Sequence, residues 1–135
     1  MARVLIVDDD LDLQDALADA VRLEGHEVRV ASNGLEGLVA LRSHPIDLII
    51  LDMMMPVMDG RAFRAEQQRD PQLAGVPVVV VSASLPIPDV GAAETLPKPV
   101  DLEVLFAAVA RHALRTRPHA HEKSRAAPVS SAYGG

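Results

Sequence analysis

Short, wholly apolar runs punctuate the chain, and amphipathic stretches separate most of them. Val4-Leu5-Ile6-Val7, Leu48-Ile49-Ile50-Leu51 and Val78-Val79-Val80-Val81 have no polar position. That is the pattern of strands buried on both faces of a parallel sheet. Glu27 to Ala31 is shorter in apolar content and carries Arg29, which suits an edge, and Thr95-Leu96 reads as a short fifth strand. Between these runs the period changes. Leu11 to Glu24 sets Leu13, Leu17, Ala20 and Val21 on one helical face, with Gly25 following as a stop. Asn33 and Glu36 form a capping pair for a helix through Leu35, Leu38 and Leu41, which His44-Pro45 ends. A third helix runs from Gly60 to about Arg69, anchored on Phe63 and stopped by Asp70-Pro71. A last one, capped by Asp101, carries Leu102, Leu105, Phe106 and Val109.

Strands alternating with helices predict an α/β fold, a doubly wound five-stranded parallel sheet. One connection breaks the rhythm. Ala83 to Glu94 is twelve residues long and contains Pro86, Pro88 and Gly91. A parallel crossover needs at least about a dozen residues. The expectation is one helical turn, around Asp89–Ala93, with the fourth helix otherwise shortened or absent.

Composition narrows the classes. With no Cys there is neither a disulfide framework nor a thiolate metal site. Only Phe63, Phe106 and Tyr133 are aromatic, so Leu, Val, Ile and Ala must build the core. No apolar run approaches a membrane span, and Met1-Ala2-Arg3-Val4 has no signal-peptide anatomy, which predicts a cytoplasmic protein without membrane insertion. Residues 115–135 carry Arg115, Arg117, Lys123 and Arg125 against Glu122. Those 21 residues are therefore at +3, which leaves −9 on residues 1–114 of the chain's net −6. An acidic body argues against direct nucleic-acid binding. The expected organisation is one domain over 1–114 and a disordered tail over 115–135.

Candidate chemistry gathers at strand ends. The first strand ends in Asp8 and Asp9, the third in Asp52, the fourth in Ser82, and the fifth just before Lys98. Parallel strands point their C-termini one way, so these groups share one edge, where open α/β sheets bind ligands. Close carboxylates repel, and a hard cation such as Mg²⁺ relieves them. A hydroxyl and an ammonium beside Asp52 suit an anion. Together they are equipment for phosphoryl transfer, in which positioning and charge neutralisation dominate.

The stretches Val4 to Asp10, Asp47 to Gly60, Val78 to Ala83 and Leu96-Pro97-Lys98-Pro99 resemble the receiver domain of two-component response regulators, over roughly residues 2–114. The resemblance implies a flavodoxin-like strand order 2-1-3-4-5. It implies that Asp52 is the phosphoacceptor, taking its phosphoryl group from a His of a sensor histidine kinase or histidine phosphotransfer protein. Asp9, Asp52 and the Met54 backbone carbonyl would hold Mg²⁺ directly, and Asp8 would act mainly through a bound water. Ser82 would donate to phosphoryl oxygens, Lys98 would pair with Asp52 or its phosphate, and the Lys98–Pro99 bond would be cis. The protein would be a single-domain response regulator signalling to a downstream protein, not a turnover enzyme. The alternative is a receiver-like interaction module that acts independently of phosphorylation.

Plainer readings compete at several positions. Asp8 and Asp9 could cap the first helix, although Asp10 can serve that boundary. Asp8, Asp10 and Asp12 mimic a calcium loop, but Leu13 stands where that loop needs Gly. Met53, Met54, Met55 and Met58 suit packing better than a soft-metal site. Asp59 should cap the third helix. His26, His44 and His112 read as surface residues, and His119-Ala120-His121 as at most a weak metal ligand. A haloacid-dehalogenase-like phosphatase needs an Asp where Met54 stands. The family's switch aromatic, three residues before the Lys, is replaced by Thr95. Thr95 and the short 83–94 connection predict a monomer or weak dimer that avoids the family's usual face of fourth helix, fifth strand and fifth helix.

Overall fold

A computed structural model describes residues 1–84 and 86–122, with backbone alone for 114–122. Its elements are β1 (Arg3–Val7), α1 (Leu11–Leu23), β2 (Glu27–Ala31), α2 (Gly34–Ser43), β3 (Leu48–Asp52), α3 (Gly60–Arg69), β4 (Val78–Ser82), β5 (Glu94–Pro97) and α4 (Leu102–Glu122). The strands form one parallel sheet in the expected order β2-β1-β3-β4-β5. The order reverses between β1 and β3, and that reversal opens a crevice at the C-terminal edge.

Alternate strand residues feed two cores, because successive side chains point to opposite faces. Val4, Ile6, Leu48, Ile50, Val79 and Val81 pack against Leu17, Val21, Leu105 and Val109 of α1 and α4. Leu5, Val7, Ile49, Leu51, Val78 and Val80 pack against Leu38, Leu41 and Phe63 of α2 and α3. Central β3 and β4 are buried at every residue, as their unbroken apolar runs predict. At the opposite, N-terminal edge, Arg3 donates from its backbone N–H and guanidinium to buried Asp47 and ties β1 to the start of β3.

The β4–β5 connection carries no helix among its described residues, so the turn expected at Asp89–Ala93 is absent. Pro86 and Pro88 donate no backbone N–H, and Gly91 takes φ +73, which interrupts any helical run. The segment instead lies as an extended strap, with Ile87, Val90 and Ala92 packed on the second core. A side chain from α3 fastens it. The largely buried Arg64 donates from Nε to the Val90 carbonyl (3.0 Å), from one terminal nitrogen to the Gly91 carbonyl (2.8 Å) and from the other to Gln67 Oε1 (2.7 Å). Gln67 passes its amide on to the carbonyls of Leu73 and Val76, which shape the turn into β4.

One boundary differs from expectation. Helix α4 runs to Glu122, eight residues into the segment expected to be disordered. The helix runs through Pro118, which supplies no backbone donor there. Residues 123–135 of the expected tail lie outside the described residues, and so do the side chains of His119 and His121. Two histidines also sit deeper than expected. His26 Nδ1 accepts from the Ala2 backbone N–H, and His112 is half-buried and pairs with Glu94 at 2.8 Å. Each half-buried polar ring meets a partner that only the fold supplies.

Candidate functional site: an acidic cluster at the C-terminal edge

Strand register decides which side chains meet. Val7 lies beside Leu51 and Val81 beside Asp52. Asp8 and Ser82, each one residue further along, therefore flank Asp52 from the two neighbouring strands. Ser82 pairs with Pro97, and its carbonyl accepts from the Lys98 backbone N–H at 2.9 Å, which delivers Lys98 to the same edge. Carboxylate oxygens of Asp8, Asp9 and Asp52 all lie within 4.8 Å of one another. Asp8 and Asp52 are buried and Asp9 is exposed.

The ammonium of Lys98 spans the cluster, 3.3 Å from Asp8 Oδ2 and 3.5 Å from Asp52 Oδ1. Burial pushes the Asp52 carboxyl up to about 6, and the charge of Asp8 adds to that push. Lys98 and the Met54 backbone N–H, 3.4 Å from Oδ1, pull the other way without cancelling it. For Lys98, burial lowers the ammonium, but the charges of Asp52 and Asp8 outweigh it and leave the pKa above its usual value. One ammonium against three carboxylates leaves the site short of positive charge. A hard divalent cation fits that deficit and the all-oxygen donor set.

The loop from β3 to α3 is held from behind. Gly60 opens α3 and donates to the Met53 carbonyl, and a Cβ there would stand 2.6 Å from the Asp52 carbonyl oxygen. Asp59 caps the helix by accepting from the Ala62 N–H at 2.9 Å, as expected. Just before them a γ-turn closes from Met58 N–H to the Pro56 carbonyl (2.7 Å), with Val57 at φ +70. That backbone region is an outlier for a β-branched residue. Met53 and Met55 are buried packing residues, whereas Met54 is 65% exposed at the rim.

Ser82 Oγ accepts from the Ser84 N–H at 3.1 Å and keeps its own proton for another acceptor. Asp10, rather than Asp8 or Asp9, caps α1 by accepting from the Leu13 N–H. The Lys98–Pro99 peptide is cis, as expected. Thr95 is exposed on β5. The structure thus brings Asp8, Asp9, Asp52, Ser82 and Lys98 to one edge. The sequence reading passed over Gln14, which is buried in the inward face of α1 with its amide on the carbonyls of Asp8 and Ala31. Its signal was legible: an uncharged polar residue beside Leu13, on a face continued by Leu17, Ala18 and Val21.

Comparison with known proteins finds a matching family and related structures. The family model described as "Response regulator receiver domain" matches residues 4–110. Transcriptional regulatory protein GlrR of Escherichia coli K12 is 36% identical over 135 residues, which covers 96% of this chain and 30% of that protein. The chain spans between 30% and 58% of the lengths of that protein and of the response regulator MprA of Mycobacterium avium. The receiver domain of a signal transduction histidine kinase from Syntrophus aciditrophicus superposes with a TM-score of 0.81 at 27% identity, covering 98% of this chain and 99% of that one. Response regulator TrrA of Thermotoga maritima, solved in complex with Mg²⁺-BeF, gives 0.74 at 27% identity over 82% and 98%.

Proposed function

The chain belongs to the response regulator receiver domain family, and from that premise we propose that Asp52 accepts a phosphoryl group from a phosphohistidine of a partner kinase or phosphotransfer protein. The observation that carries this reading is the cluster of Asp8, Asp9 and Asp52 under Lys98 at the sheet's C-terminal edge. In the step, an Asp52 Oδ attacks phosphorus in line, the P–O bond forms, and the P–N bond to the donor imidazole breaks, leaving the histidine with that electron pair. Asp9, Asp52 and the Met54 carbonyl would hold Mg²⁺, with Asp8 acting through water. When bound, the cation neutralises charge on the equatorial oxygens. Ser82 gives up the Ser84 N–H and donates its own proton to a phosphoryl oxygen, while Lys98 follows the charge from Asp52 to its phosphate.

The protein acts on itself rather than turning over an external substrate, and it signals through protein–protein contacts as a cytoplasmic regulator. Support for a phosphate-independent interaction module comes from Thr95, too small and too exposed to work as a switch aromatic, and from the missing helix. The same two features support a monomer or weak dimer that does not pair through β5 and the elements beside it. A small phosphodonor, with and without Mg²⁺, tests the first reading by intact-mass spectrometry. Labelling should require Mg²⁺, vanish in Asp52→Asn and weaken in Asp9→Ala. Equal labelling of wild type and Asp52→Asn would overturn the assignment, and no labelling of either would favour the interaction module.

A further inference from the structure

The inward face of α1 is apolar except for Gln14, which is 4% exposed. Its amide nitrogen donates to the Asp8 carbonyl at 3.0 Å and to the Ala31 carbonyl at 2.9 Å. The Ala31 carbonyl also accepts from the Asp8 N–H at 3.0 Å. Gln14's distinctive contribution is therefore its hold on the Asp8 carbonyl. That carbonyl belongs to the peptide joining Asp8 to Asp9. The next peptide, joining Asp9 to Asp10, is held as well, because the Asp10 N–H donates to Asp8 Oδ1 at 2.9 Å. With both flanking peptide planes fixed, the backbone direction of Asp9 is fixed too.

We infer that Gln14 is a positioning residue that aims Asp9 into the acidic cluster and so sets the site's affinity for a divalent cation. The inference rests on the reading of Asp8, Asp9 and Asp52 as a cation site. Asp9 is the exposed member of three mutually repelling carboxylates, so it is the one repulsion turns outward into water first. The Gln14 tether resists that rotation. Groups that orient ligands in this way commonly control metal affinity 10- to 100-fold.

Gln14→Met keeps the size and burial of the side chain and removes the donor. Mg²⁺ titration calorimetry without phosphodonor should show a dissociation constant raised roughly 10-fold or more. In labelling kinetics the Mg²⁺ concentration for half-maximal rate should rise in step, while the rate at saturating Mg²⁺ stays nearly unchanged. Leu41→Ala, on α2 away from the edge, lowers stability without touching the cluster and should bind Mg²⁺ like wild type. If Gln14→Met does not fold, Gln14→Leu is also apolar and has no donor for the Asp8 carbonyl, so the same shift is expected. A folded variant of either kind with wild-type Mg²⁺ affinity would overturn the inference. So would a rate at saturating Mg²⁺ that falls as far as the affinity does. Wild-type protein that binds no Mg²⁺ would instead remove the cation-site reading and the inference with it, a result distinct from the other two.

Discussion

The connections that leave the C-terminal ends of β3 and β4 are held in opposite ways. After Asp52 the chain turns back on itself through local bonds: the γ-turn at Val57, the Asp59 cap and the seat of Gly60 on the β3 backbone. The described residues of the connection after Ser82 hold no helix, and the strap is fastened by Arg64, a side chain more than 20 residues away in sequence. Local backbone bonds place charged groups to within a fraction of an ångström, which suits a reacting site. The strap is fixed instead by one distant side chain at two adjacent carbonyls and by three apolar residues packed on the core. The first region should therefore answer to charge, pH and metal, and the second to packing and hydrogen bonding.

Substitutions can separate the two. The largest change in stability should come from Arg64→Met, which strips the carbonyls of Val90 and Gly91 and the Gln67 amide of their donor. A loss of about 3 kcal/mol is expected in chemical denaturation. Backbone amides of residues 86–93 should exchange faster, while Mg²⁺ affinity holds. A fall in Mg²⁺ affinity comparable to that in Gln14→Met would show that strap and site are one unit and break the comparison.

Asp52→Asn should act in the other direction. The folded-state value of about 6 lies above the unfolded 3.8, so the folded protein holds an extra proton between those pH values. The stability from that proton is whole below about pH 4 and lost as pH rises through 6. Without divalent cations, Asp52→Asn should be more stable than wild type by on the order of 2–3 kcal/mol at pH 7.5. The advantage should shrink toward zero as pH falls to 4, which urea denaturation across a pH series will read. An advantage independent of pH would mean that the buried charge is not the cause.

Two smaller effects sharpen the boundary. Val57 is 78% exposed, so replacing it sacrifices little burial, while its φ of +70 suits asparagine better. Val57→Asn should raise stability by about 0.5–1 kcal/mol, visible as a rise in Tm. The smallest effect belongs to the surface of α4, where Arg111 and His112 pair with Glu94 and, with the Arg111 hydrogen bond foremost, hold its carboxyl below the usual range. Arg111→Ala should change stability by no more than about 0.5 kcal/mol in physiological salt.

The apolar runs by themselves determined the strands, their order of burial and the edge at which Asp8, Asp9, Asp52, Ser82 and Lys98 assemble. They could do so because a parallel strand buried on both faces excludes charge until its tip, and the tips of parallel strands lie together. The spacing of Ala83 to Glu94 likewise ruled out a full helix, since twelve residues with two prolines cannot hold one and still cross the sheet. Only the tertiary structure decided what replaced that helix. In the sequence Arg64 and Gln67 are two polar residues among several in α3. They turn inward because the strap's carbonyls need donors that the strap itself lacks. The place of Gln14 on the inward face of α1 is legible in the sequence, but its partners are not, because they are main-chain carbonyls, which are alike in every sequence. The depth of His26 and His112 and the run of α4 to Glu122 also depended on the fold. Periodicity reports which face of an element is apolar. It says nothing of the partners that a distant part of the chain brings to a buried polar group.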